Sequence, residues 1–123
     1  MPDSSLPASA AATRSGVSIN GLSVAVKGRI TIYQSTTVVA PPVPMTYLST
    51  KSMLWQYQSG SGFQKIAEKL SVGVLVSDQI AQGTKAVNPG LYQVLGEHYG
   101  IAPLGYWPPS GTSYSTSQYF YVD

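Results

Sequence analysis

Cysteine is absent from this chain of 123 residues, which removes disulfides, thiolate metal sites and cysteine nucleophiles together. Histidine occurs once, as His98, and the carboxylates are five: Asp3, Glu68, Asp78, Glu97 and Asp123. One imidazole and five dispersed acids do not readily assemble the three or four ligands that zinc takes, and no acidic loop suits calcium. His98 lies between Glu97 and Tyr99, but no motif beside it supplies a nucleophile and an orienting partner, so no catalytic role is assigned to it. No spacing singles out a carboxylate pair for glycoside hydrolysis. The Gly-containing run Ser59–Gly62 lacks the Lys-Ser or Lys-Thr of a phosphate-binding loop. The expectation is a protein with no catalytic, metal or cofactor-binding residues.

Charge is equally sparse. The seven basic residues, Arg14, Lys27, Arg29, Lys51, Lys65, Lys69 and Lys85, are scattered, and the net charge is +2. Nucleic-acid binding needs several cations on one face, so no specific nucleic-acid partner is expected. The longest uncharged apolar stretch, Val72 to Val76, is strand-sized and far from the roughly 20 residues of a membrane helix, so no membrane insertion is expected. The Ala-rich start follows Pro2, Asp3 and Pro7 without a long apolar run, which does not make a secretory signal. Small secreted domains usually carry disulfides. Synthesis in the cytoplasm without a signal peptide, followed by incorporation into a virion or extracellular assembly, is the expected history.

What the chain has in quantity is 17 Ser, nine Thr, 12 Gly and nine Tyr, a palette for contact surfaces. Residues 1–16 are small and polar, with too few large apolar side chains for a core, and read as an extended N-terminal arm. Residues 17–123 read as a single β-rich domain. Asn20-Gly21 carries a hairpin signal. Leu22, Val24 and Val26 alternate with Ser23 and Ala25, placing three large side chains on one sheet face, and Lys27-Gly28 marks a turn or bulge before Ile30 and Ile32 resume the alternation. Pro41, Pro42 and Pro44 stop that strand, because proline lacks the ladder donor.

Met53 to Tyr57 reads as a further strand, closed by a turn at Ser59–Gly62. Phe63, Ile66, Ala67 and Leu70 then fall at helical spacing, with Gln64, Lys65, Glu68 and Lys69 facing away, which predicts one short amphipathic helix. Val72, Val74 and Val76 return to period two, Leu91 to Leu95 reads as a strand after the Asn88-Pro89-Gly90 turn, and Ser113 to Val122 is β-prone. The fold class expected is mainly β, with α+β at the margin: a small antiparallel β-sandwich or partly open barrel with one short helix.

Nine Tyr and two Trp against two Phe means that most rings carry a polar handle, as interface and sugar-binding surfaces do. Tyr106, Trp107, Tyr114, Tyr119 and Tyr121 crowd the last eighteen residues, and together with Leu6 of the arm they are the expected interface residues. The reading that follows is a non-enzymatic structural subunit of a larger assembly, in the first place a virion component such as a capsid-decorating, minor capsid or tail protein. Its partners would be copies of itself or other structural subunits. The alternative is a glycan-binding surface module using exposed Trp and Tyr, and a small enzyme stands third.

Overall fold

The computed structural model describes residues 15–123; the expected arm, apart from Ser15 and Gly16, and Leu6 with it, lie outside the described residues. The chain runs through strands β1 (Ser15–Gly16), β2 (Ser18–Val26), β3 (Ile30–Ala40), β4 (Tyr47–Gln58), β5 (Gly62–Gly73), β6 (Asp78–Ala86), β7 (Gly90–Ile101), β8 (Tyr106–Trp107), β9 (Ser110–Thr116) and β10 (Phe120–Val122). The fold is mainly β, as the density of β-branched and aromatic residues dictates.

Two antiparallel sheets form the body. The smaller has the order β2-β3-β6; the larger has the order β10-β7-β4-β5, with β9 continuing the β10 lane along β7. Short parallel pairing of β1 with β8 ties the start of the described chain to Tyr106–Trp107. Side chains from the two sheets meet face to face in a sandwich-like arrangement. Ser35 on β3 hydrogen-bonds Ser52 on β4 at 2.9 Å, and Ser23 on β2 meets Ser115 on β9 at 2.8 Å.

The predicted helix is not there. Residues 62–73 are an edge strand, and the reason is a bulge: Leu54 pairs with Ala67 and Trp55 with Lys65, so Ile66 is the extra residue. The bulge sets Ile66 and Ala67 consecutively against one apolar cluster. With Phe63 three residues earlier, this reproduces helical spacing in a strand. Leu70, which a helix would bury, is exposed. The bulge, with Lys65, Glu68 and Lys69, also blunts a twelve-residue edge against pairing with other chains.

The hairpin expected at Asn20-Gly21 is absent as well, since β2 runs unbroken from Ser18 to Val26. The turn comes at Lys27-Gly28, as the sequence indicated, with Thr31 Oγ1 donating to Gly28 O at 2.7 Å. Gly21 serves a close approach: a Cβ there would stand 1.9 Å from Nε2 of His98.

The interior is in three parts. One apolar cluster gathers Val17, Val39, Val43, Met45, Leu48 and Ala102; another gathers Tyr33, Leu54, Val87, Tyr92, Val94 and Val122. In register between them lies a layer of buried polar side chains, Ser23, Ser35, Thr37, Thr50, Ser52 and His98. Small hydroxyls can be buried when each finds a partner, because an unmet one costs about 1–3 kcal/mol.

Candidate functional site

The buried polar layer is one continuous chain of hydrogen bonds. Ser35 Oγ donates to Ser52 Oγ and meets Ser23 Oγ at 2.7 Å, and Ser23 meets Ser115. Ser115 Oγ lies 2.7 Å from His98 Nε2, and His98 Nδ1 lies 2.7 Å from Thr37 Oγ1. Thr37 in turn meets Thr50, which donates to the carbonyl of Gln79 at 3.2 Å. Gly96 makes room for the serines, since a Cβ there would stand within 2.8 Å of three of their oxygens.

His98 has a serine on one ring nitrogen and a threonine on the other, an arrangement with the outline of a nucleophile and base. Its surroundings are those of an interior group. The ring is wholly buried, no carboxylate orients it, and burial pushes its pKa below the ordinary 6.5 against a smaller opposing pull from Glu97. A neutral imidazole with a hydroxyl on each side, one of them Thr37 of the facing sheet, ties the two sheets together. Among the described residues no group of three or more His, Cys, Asp or Glu side chains comes together, and no helix is long and apolar enough to cross a membrane.

The outer face of the β2-β3-β6 sheet is the more unusual feature. Along β3 the buried positions are Thr31, Tyr33, Ser35, Thr37 and Val39, so the hydroxyl side of the alternation points inward and the aliphatic side points out. Cross-strand rows on the outer face read Asn20–Val38–Asp78, Leu22–Thr36–Ile80, Val24–Gln34–Gln82 and Val26–Ile32–Thr84, with Ile30 opposite Ala86 at the end. Leu22, Val24, Val26, Ile30, Val38 and Ile80 are each 42–69% exposed. Scattered exposed aliphatics are ordinary, whereas a contiguous patch rimmed by polar residues marks a contact site. Asp78 is the one charge in these rows; Lys27, Arg29 and Lys85 stand at the opposite end, where Arg29 Nε donates to the carbonyl of Asp123 at 2.7 Å.

The residues expected as an interface lie elsewhere. Trp107, Tyr114, Tyr119 and Tyr121 are 55–65% exposed, strung along the edge lane of the larger sheet and the loop end beyond it. Tyr106 is half-buried against the first apolar cluster. Tyr114 stands opposite Glu97, which pairs with Lys51 at 3.7 Å. Tyr119 stacks on Phe63 at 5.4 Å, and Phe63 meets Tyr57 edge-on at 5.6 Å, so an aromatic run lies on the larger sheet near Trp55. These rings form separate groups, Tyr114, Tyr119 and Tyr121 along the β9–β10 lane of the larger sheet and Tyr106 and Trp107 on β8, which pairs with β1.

The aliphatic face was written in the sequence as the alternation of Leu22, Val24 and Val26, but period two does not say which side faces the core. The available signal was the opposite side of β3, where Tyr33 and Val39 flank two hydroxyl residues, Ser35 and Thr37, at the same parity. No protein-family model matches the chain, and no curated protein matches it. Function therefore has to be read from these surfaces.

Proposed function

We propose that the protein is a non-enzymatic structural subunit that works by protein–protein contact within a larger assembly. The observation that carries this reading is the outer face of the β2-β3-β6 sheet, where six large aliphatic side chains stand exposed in adjoining rows with a single carboxylate. Burial of such a face in an assembly removes apolar surface from water at about 25 cal/mol per Å². The exposed rings Tyr114, Tyr119 and Tyr121 add a second, more polar contact surface on the other sheet. The one histidine is committed to the interior, which supports a non-catalytic role.

Within this reading a virion component, capsid-decorating, minor capsid or tail, made in the cytoplasm and completed by assembly, is the setting that the charge-poor, cysteine-free and hydroxyl-rich composition favours. Sedimentation velocity over a hundredfold range of protein concentration tests the reading. Concentration-dependent growth beyond the monomer is expected, and a strictly monomeric chain at every concentration that also binds no co-expressed structural protein would defeat it.

Glycan binding is the second reading, and the aromatic run Tyr57–Phe63–Tyr119 favours it, with Trp55 between Lys65 and Gln93 in the neighbouring row. Rings of this kind stack on sugars while amides hold the hydroxyls. Tryptophan fluorescence titrated with neutral oligosaccharides should respond in the parent and lose its response in Tyr119→Ala. No response to any sugar retires this alternative.

A further inference from the structure

We propose that the β2-β3-β6 face docks on the same face of a second copy, with the two-fold axis lying in the interface plane and running across the strands. This rests on the assembly reading above and names its partner. A dimer of this kind is isologous, so the face must complement itself. It does so in composition: the rows through Leu22, Val24 and Val26 hold aliphatic, Thr and Gln side chains, with no like charges to oppose each other at the centre.

Size is the second argument. Three strands of about nine residues, at ~3.3 Å per residue and ~4.8 Å between strands, make a face of roughly 30 by 14 Å. Two such faces cover on the order of 800 Å² in projection, and side-chain relief brings the accessible area near the ~1,200 Å² at which stable interfaces begin. The predicted dimer is accordingly a modest one. Facing sheets would settle ~10 Å apart, as inside a sandwich.

Charge sets the orientation. Asp78 opens β6 at one end of the face; the other end is bordered by Lys27 and Arg29 in the β2–β3 turn, Arg29 being held on Asp123, and by Lys85, which sits opposite Thr31 on the inward parity of β6. An axis across the strands exchanges the ends, laying β6 antiparallel over β6 of the partner, so each Asp78 approaches the basic end of the other copy. An axis along the strands would instead bring the two basic ends together, and like charges in a contact disfavour it. Under the favoured axis β3 lies antiparallel over its counterpart, pivoting on Gln34, and Val38 faces the partner's end that begins with Ile30.

The experiment has three arms. Val24→Lys and Ile80→Lys alter side chains already exposed in the monomer, so the fold should persist by circular dichroism while the dimer Kd from sedimentation equilibrium rises at least tenfold. Because the parent has no cysteine, single-cysteine variants report geometry without background. With a short bifunctional thiol-reactive linker that spans the gap between facing sheets, Gln34→Cys should cross-link to itself, Val38→Cys should not, and a mixture of Val38→Cys with Ile30→Cys should cross-link. Deletion of residues 1–14 should leave the dimer intact. If the parent dimerises but both lysine variants leave Kd unchanged, or if the deletion alone abolishes the dimer, face-to-face docking is overturned while the assembly reading stands. Self-cross-linking of Val38→Cys overturns the axis. A parent that stays monomeric to several hundred micromolar overturns the docking and removes the main support of the assembly reading.

Discussion

His98 shows how differently one residue can read in a sequence and in the fold that buries it. A lone histidine beside a glutamate suggests acid–base chemistry, yet Glu97 points to the opposite face of β7, where it pairs with Lys51, and the imidazole points inward to two hydroxyls. Because burial lowers its pKa, the unfolded chain takes up the proton first as the pH falls. The contribution of His98 to stability is therefore complete above its ordinary 6.5 and declines as the pH drops from there toward the lower folded value. Denaturant unfolding between pH 8 and pH 5 should show stability falling below neutrality, with a slope of at most ~1.4 kcal/mol per pH unit from this residue. His98→Gln should flatten that slope, although it lowers stability overall. Glu68, held below the carboxylate range by Lys65, titrates only in more acidic solution and leaves this window clear. A slope unchanged in the variant would contradict the assignment. Gly21 gives a sharper test of the same contact: Gly21→Ala drives a methyl into the buried ring and should cost about 1–3 kcal/mol or more in urea unfolding.

At the scale of elements, the strands were legible where alternation and turn chemistry agreed and illegible where tertiary contacts overrode them. β3, the Met53–Tyr57 part of β4 and the turn at Lys27-Gly28 follow from local pattern. Asn20-Gly21 reads as a turn because the dipeptide favours positive φ, but its glycine is there to admit His98 from a strand 77 residues away, which no local window contains. β5 misleads for a different reason, since one inserted residue changes the phase of a period-two pattern into an imitation of period 3.6. Substitution separates the two structures. A helix burying Phe63, Ile66, Ala67 and Leu70 would suffer from Leu70→Lys, whereas the bulged strand leaves Leu70 exposed. Leu70→Lys should change stability by less than about 0.5 kcal/mol, and Ile66→Asp, which places a carboxylate against the Leu54 and Tyr92 cluster, should cost more than about 2 kcal/mol. Comparable losses in the two variants would favour the helix.

Across the whole molecule, the interior is short of apolar side chains in its middle third and the outside of one sheet has them in excess. Of the candidate sites, the exposed tyrosines and Trp107 could be named from composition, whereas the side of β3 that faces inward was marked only by Tyr33 and Val39 and is set by the pairing of hydroxyls between the sheets. That pairing is a property of the assembled sandwich: Thr37 is an acceptable core residue only because Thr50 and His98 meet it. A sandwich built this way has less hydrophobic stabilisation of its own than its length allows, and the proposed docking of the outer face would supply more. Stability should then follow mass action, because a partner that binds only the folded chain raises the free energy of unfolding with its concentration. For a dimer that unfolds to two chains, each tenfold rise in concentration adds about 0.7 kcal/mol per protomer, which is about 2–4 °C in Tm for a domain of this size. Differential scanning fluorimetry from 2 to 200 µM should show this rise in the parent and a flat Tm in Val24→Lys. A concentration-independent Tm in the parent, with the fold intact, would mean that the sandwich stands alone and that its aliphatic face contributes nothing to its stability in solution.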